Sequence, residues 1–335
     1  MSDEVRFAVI GCGGMGETVH TPNLTAINGV RIAAYCDIDR AKAEKLLDKY
    51  GGDYITEDVD KILADNSIDA VAIQVGPQLH AQLVQQAARA GKHVFVEKPL
   101  GLQLDDVLET VRVVEESGIK FIYGTCCRLA PTVQMAKRMC PQPLYSYCQC
   151  VDTVTHQSCH NLDLAVNLFH ESTLVRVYAS GGQYWGIDPH LPADSFSAIL
   201  SFEDGSTHTY IQHGNAYNPA LTKYHYQLFG RDECVYLAER FKKCHYSRAG
   251  SWDIDRSWAF DGSDWDRGPF GYMGHYDELV ELVRHIRGGQ GNGTMTVRDA
   301  AYIMVVEQAI LGSLVAHEVI DFEQYLKDRN ADWLK

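Results

Sequence analysis

Lys98 follows the apolar run Val94-Phe95-Val96 and sits in Glu97-Lys98-Pro99-Leu100, so a flexible ammonium stands where a buried strand ends. In an open parallel sheet the carboxyl ends of the strands border the crevice that binds ligands. A lysine placed there can hydrogen-bond a reacting oxygen and stabilise negative charge developing on it. Further along, His156, His160 and Asp163 recur at i, i+4 and i+7, one polar stripe on a helix that carries Leu162, Ala165, Val166 and Phe169 elsewhere. A neutral imidazole is suited to removing a hydroxyl proton near pH 7, which makes His160 the candidate general base. Asp163 could orient His160 or bind substrate hydroxyls. His156, Cys159 and His160 could instead converge on a metal ion, but the chain lacks paired C-x-x-C spacing and no metal is expected.

A second constellation is the loop Gly11-Cys12-Gly13-Gly14-Met15-Gly16, which follows the apolar run at Val5 to Ile10 and opens a helix. That context gives G-x-G-x-x-G its meaning as a dinucleotide fingerprint. Gly11 permits the tight turn, Gly13 lets backbone approach a pyrophosphate, and Gly16 allows close helix–strand packing. Asp37 closes the next strand, Tyr35-Cys36-Asp37, at the distance from the loop where a carboxylate accepts from an adenosine ribose. It would repel a 2′-phosphate, so NAD is favoured over NADP, although Arg40 tempers the preference. Asp37 could instead cap the helix beginning near Asp39, a role that Asp39 can also fill.

These residues need elements to hold them. Short apolar runs at Val5 to Ile10, Val30 to Ala34, Ala70 to Ile73, His93 to Val96 and Ile119 to Ile122 alternate with amphipathic stretches. That alternation predicts an α/β fold, an N-terminal Rossmann domain with a doubly wound parallel sheet over residues 1–124. Beyond it, a helix over about Ser158 to Phe169 precedes alternating segments at Val175 to Ala179, Ser195 to Ser201, Thr207 to Ile211 and Tyr224 to Leu228, with a hairpin turn at Phe202 to Ser206. Residues 125–335 therefore read as a C-terminal α/β domain with a mostly antiparallel open sheet. Two closing helices, near Tyr276 to Ile286 and Val297 to His317, could pack back on the Rossmann domain.

Composition narrows the classes. A formal net charge of -14 over 335 residues argues against a general nucleic-acid surface. No cationic leader and no apolar segment long enough to span a bilayer stand out, so the expectation is a soluble, cytoplasmic chain away from any membrane. Ten cysteines, several in apolar strands, read as reduced and buried thiols.

With those residues in hand, the chain resembles the Gfo/Idh/MocA oxidoreductases over nearly its whole length. The marks are the glycine loop, Pro77-Gln78-Leu79-His80, Ala90-Gly91-Lys92-His93-Val94 leading into Glu97-Lys98-Pro99, Arg128 before Pro131, and His160-Asn161-Leu162-Asp163 as H-x-x-D. The resemblance implies NAD(P)-dependent oxidation of a secondary alcohol on a sugar, inositol or related polyol. It implies Lys98 and His160 as catalytic residues, with His156 beside them. Cofactor contacts would come from Gly11, Gly13, Gly14, Met15, Gly16, Asp37, Gly76, His80, Glu97, Lys98 and Arg128. Substrate contacts would come from Lys98, Arg128, His156, His160 and Asp163, and the open C-terminal sheet would build a homo-oligomer. An aspartate often precedes the family histidine by four residues, and here His156 stands in its place. That departure keeps two alternatives in view: a non-redox-overall enzyme that oxidises a sugar transiently for glycoside cleavage, and a non-catalytic NAD-sensing regulator. The stretch Trp252 to Tyr272, with Asp253, Asp255, Asp261, Asp264 and Trp265, suits either a sugar pocket or a packing or subunit contact. Tyr224 and His245 are weaker candidates.

Overall fold

A computed structural model describes residues 4–215, 223–260, 271–290 and 295–334, and for residues 155 and 156 the backbone alone. The chain forms two compact units, Met1–Cys126 with Trp265–Ala301, and Cys127–Asp264 with Tyr302–Lys335.

In the first unit β1 (Val5–Ile10), β2 (Val30–Cys36), β3 (Tyr54–Thr56), β4 (Ala70–Ile73), β5 (His93–Glu97) and β6 (Phe121–Gly124) form a six-stranded sheet. The order is β3-β2-β1-β4-β5-β6 and every neighbouring pair is parallel. The order reverses at β1 and β4, where an open sheet of this kind leaves its ligand crevice. β4 is buried along its whole length, as are Phe7 to Ile10 and Val94 to Val96, the pattern of parallel strands with no face in water. Helix His80–Arg89 buries Ala81, Val84, Ala87 and Ala88, and helix Leu104–Ser117 buries Val107, Leu108, Val111 and Val114, so each presents one apolar stripe to the core. The sequence reading lacked β3 and the helix Val59–Ala64 after it. Tyr54–Thr56 is an edge strand whose residues are all half-buried, so no apolar run announces it.

The second unit carries a nine-stranded sheet in the order β14-β13-β12-β11-β7-β10-β9-β8-β15. Its strands are β7 (Tyr145–Val151), β8 (Leu174–Gly182), β9 (Ser195–Phe202), β10 (Thr207–His213), β11 (His225–Phe229), β12 (Glu233–Ala238), β13 (Lys243–Arg248), β14 (Arg256–Ala259) and β15 (Ile320–Asp321). Among the described residues only β7 and β10 pair in parallel in this sheet, so it is mostly antiparallel as anticipated. The β9–β10 turn closes where Gly205, at φ +85°, donates to the Phe202 carbonyl at 3.0 Å. Helix Val154–Asp163 continues into a π-helical turn, Leu164–Phe169. Strands β12 to β14 went unread because they mix polar residues with aromatic ones, and β14 is largely exposed.

The closing helices run over His275–Ile286 and Val297–Ala316. The second corrects one expectation: it is long and apolar enough to cross a bilayer. Val305, Val306, Ala309 and Ile310 are nevertheless buried inside the protein, as in a core helix. None of the ten cysteines, nine of them buried, is in a disulfide.

A polar chain crosses the core of the second unit. Ser206 Oγ donates to Asp204 Oδ1 at 2.7 Å, which leaves its oxygen to accept from His170 Nδ1 at 2.9 Å. His170 Nε2 then accepts from Ser146 Oγ at 2.7 Å, Ser146 accepts from His208 Nδ1 at 2.6 Å, and Cys148 Sγ lies 3.4 Å from His208 Nε2. The link from Ser146 to His170 is satisfied only while His170 is neutral. Burial pulls His170 down to about 4, against the attraction of Asp204, and pulls His208 well below its usual range. An unfolded histidine near 6.5 binds its proton first, so this part of the stability is complete above pH 6.5 and is lost as pH falls toward 4. His170 alone should withdraw roughly 2 kcal/mol between pH 7.5 and pH 5. Buried carboxyls titrate in the opposite sense, so the test compares urea unfolding of the wild type with His170→Asn at both pH values. The wild-type advantage should shrink by about that amount at pH 5; an advantage independent of pH contradicts the neutral chain.

Candidate active site

The glycine loop in the first unit is dictated by contact. Gly11 has φ +97°, and a Cβ there would lie 2.6 Å from the Gln74 carbonyl oxygen. A Cβ on Gly16 would lie 2.3 Å from the carbonyl oxygen of Gly11, so the helix that follows can close on the loop only as glycine. Gly13 and Gly14 differ: a Cβ on either meets nothing within 4 Å, so their backbone faces open space. Met15 stands partly exposed beside them. Asp37 lies under the loop, with Oδ2 accepting from Cys12 N at 2.7 Å and Oδ1 from Asp39 N at 2.8 Å. Asp39 takes the capping role, accepting from Ala41 N at 3.2 Å. Gln74, which sequence reasoning missed, follows β4 directly, and its buried amide nitrogen and oxygen both lack a hydrogen-bond partner. An orphaned amide beside an open glycine backbone and an anchored carboxylate is what a dinucleotide would complete, so these residues fit the expected cofactor.

β5 ends at Glu97, which is buried and receives His20 Nε2 on Oε1 at 2.6 Å and the Lys98 backbone N–H on Oε2 at 3.0 Å. Burial alone would raise the Glu97 carboxyl, but the hydrogen bond and charge of His20, with Lys98 adding, hold it well below the usual carboxylate range. His20 arrives there through the π-helical turn Gly16–His20. Lys98 is therefore a half-buried ammonium on a segment whose backbone is tied to the core. Gly76 precedes the short turn Pro77–Leu79, and His80 after it bridges two carbonyls, Pro99 O at 2.6 Å and Val75 O at 3.0 Å. His80 thus clamps the residue after Lys98.

In the second unit, helix Val154–Asp163 holds His160 and Asp163, both buried. Asp163 receives the Arg128 guanidinium on both oxygens, Nε to Oδ2 at 3.0 Å and Nη2 to Oδ1, and Oδ1 also accepts from Asn167 Nδ2 at 3.0 Å. The aspartate expected to orient His160 or meet substrate is thus engaged by Arg128, the geometry that a planar guanidinium favours. His160 lies edge-on to Tyr224, ring centroids 5.9 Å apart. Tyr224 donates to Gln157 Oε1 on the same helix and stacks on Phe241 at 5.2 Å, so this weaker candidate supports the His160 ring. His245 lies instead in β13, 2.8 Å from Ser257 Oγ. Glu307 was not anticipated. It accepts from Ser158 Oγ, and its carboxyl is pushed up to about 7 by burial, with Asp188 adding.

The His156 side chain and residues Asp261, Asp264 and Trp265 lie outside the described residues. Trp252 is fully exposed, so its ring does not pack over the sheet of its own chain, while Asp255 accepts from Arg248 N at 2.7 Å.

Two substitution pairs follow from these contacts. Gly13→Ala should leave the melting temperature within about 2 °C yet weaken NAD⁺ binding at least about tenfold by calorimetry. Gly16→Ala should lower both, and equal melting temperatures for the two variants would contradict the loop geometry. Asp163→Asn leaves the buried Arg128 charge uncompensated and should cost about 3–5 kcal/mol in urea unfolding, largely recovered by adding Arg128→Met. A cost under about 1 kcal/mol would mean that the pair does not bear on stability.

A family model described as an oxidoreductase family with an NAD-binding Rossmann fold matches residues 5–125. The scyllo-inositol 2-dehydrogenase (NAD(+)) of Bacillus subtilis (strain 168) is 34% identical over 139 residues, 41% of this chain and 40% of that protein. The D-xylose 1-dehydrogenase (NADP(+)) 2 of Haloferax volcanii is 30% identical over 135 residues, 40% of this chain and 41% of that protein. The matched stretch thus spans about two fifths of each of these relatives. The fold extends further: the crystal structure of myo-inositol 2-dehydrogenase from Lactobacillus plantarum superposes with a TM-score of 0.74 at 21% identity, covering 95% of this chain and 99% of that one. Residues 5–125 are thus similar to the NAD-binding Rossmann domain of the Gfo/Idh/MocA oxidoreductases.

Proposed function

We propose that the protein is a dehydrogenase that oxidises a secondary alcohol of an inositol, sugar or related polyol, with NAD preferred over NADP. The observation that carries the reading is Lys98, an ammonium whose backbone is tied to buried Glu97 at the carboxyl end of β5, in the sheet that bears the glycine loop. A nicotinamide dinucleotide held by the glycine loop and Asp37 would supply the hydride acceptor for the carbinol carbon. Lys98 hydrogen-bonds the hydroxyl oxygen and stabilises the charge that develops as its proton departs. His160 takes that proton, its ring supported by Tyr224. The Arg128 guanidinium is held and neutralised by Asp163, so it adds no net charge beside a polyol. Asp37 favours an unphosphorylated adenosine ribose by charge. NADP use in the Haloferax relative's name makes that preference one to measure.

The inositol and sugar dehydrogenases among the relatives support the polyol class. We further assign the protein to the cytoplasm as a homo-oligomer joined through the sheet of the second unit, where Tyr178 and Ile199 stand exposed on β8 and β9. Light scattering would read that state directly.

Purified protein mixed with NAD⁺ and a panel of inositols, aldoses and alditols should form reduced nicotinamide with at least one of them. With that substrate, Lys98→Met and His160→Gln should each lower kcat by about 10²–10⁴-fold, and in His160→Gln the NAD⁺ affinity should stay within about threefold. Absence of reduction across the panel, or variants keeping more than about a tenth of kcat, would sink the assignment.

A further inference from the structure

A second group of chemically capable side chains lies buried in the first unit. His20 comes from the π-helical turn after the glycine loop, and His275 and Glu278 from the first turn of helix His275–Ile286. One donor atom from each lies within 4.8 Å of the others. Glu278 is wholly buried, and neither carboxylate oxygen has a hydrogen-bond partner. His275 Nδ1 lies 3.5 Å from Oε1. A carboxylate in that position is strongly disfavoured unless a proton or a cation accompanies it, and burial accordingly pushes its carboxyl well up.

The histidines are arranged for a cation. His20 gives Nε2 to Glu97 Oε1 at 2.6 Å, while its buried Nδ1 has no hydrogen-bond partner. His275 sets Nε2 3.5 Å from Cys126 Sγ and Nδ1 toward Glu278. In both rings Nε2 meets an outer partner, and one nitrogen of each ring lies within 4.8 Å of the carboxylate; an outer partner on one imidazole nitrogen is how a carboxylate–histidine pair orients a metal ligand. Two imidazole nitrogens and one carboxylate suit zinc and its neighbours, whereas calcium and magnesium require more oxygen ligands than are assembled here.

We propose that His20, His275 and Glu278 bind one zinc-class divalent cation, with water in the remaining position and with Glu97 and Cys126 as outer partners of the two imidazoles. None of the three ligands is among the residues proposed for hydride and proton transfer. His20 stands 255 residues before His275, so no local motif announces the site. Because Glu97 also holds the Lys98 backbone, a bound ion would stiffen the segment that carries that lysine.

The test uses the full chain without a histidine tag, stripped by chelator, incubated with excess zinc chloride and desalted. Elemental analysis should find about one zinc per chain in the wild type and less than about 0.1 in Glu278→Gln, which keeps the shape and removes the charge. Zinc should also raise the wild-type melting temperature, reversibly on chelation. X-ray absorption on the zinc-loaded wild type should show a nitrogen and oxygen first shell with two imidazoles, a readout that stands even if the variant fails to fold. Wild type that retains no zinc, a first shell dominated by sulfur, or equal retention by the folded variant would each overturn the site. The three residues would then be a polar core cluster around a proton or a water molecule.

Discussion

The pairing of Glu97 with His20 governs the first unit. A carboxylate inside a parallel sheet is unfavourable on its own, and here one imidazole and one backbone amide supply the hydrogen bonds that keep it charged. His20 hangs from the turn that begins at Gly16, and Glu97 is the last residue of β5. The ion pair therefore ties the nucleotide loop to the strand that delivers Lys98. The contact of Gly16 with the Gly11 carbonyl and the bridge from His80 to Pro99 complete the restraint, so loop and lysine sit on one rigid frame.

The second unit solves a different problem with the same economy of charge. Its helix Val154–Asp163 must present an imidazole while burying its own polar residues. Arg128 neutralises Asp163, Tyr224 satisfies Gln157, and Tyr226 donates to the Asn161 carbonyl at 2.5 Å. Each of these partners comes from another part of the chain, so the presentation of His160 depends on the packing of the sheet. Below it, the chain through Ser146, His170 and His208 ties three strand-borne or strand-adjacent residues together with neutral hydrogen bonds.

Where the candidate site was legible in the sequence, its features were local. The loop from Gly11 to Gly16, the acid at Asp37 and the lysine after Val94 to Val96 sit within single strand–turn units, and the parallel sheet was readable from its apolar runs. Strand β3 and strands β12 to β14 escaped because they are short, half-exposed or polar, and period alone does not mark them. The partnerships escaped for another reason: His20 with Glu97, Arg128 with Asp163 and Ser158 with Glu307 join positions far apart in the chain. Gln74 is a third case, an ordinary amide whose meaning lies only in the hydrogen bonds it does not make. The π-helical turns that deliver His20 and extend the His160 helix likewise have no spacing signal of their own.

The central claim is that a carbon-bound hydrogen of a polyol passes to a nicotinamide on this protein. The most direct measurement is mass spectrometry of the reduced cofactor formed from C-perdeuterated inositols and alditols. The account predicts one deuterium on the reduced nicotinamide, carried from the substrate carbon. Reduced cofactor free of deuterium, or turnover of a perdeuterated polyol with no label reaching the cofactor, would contradict it.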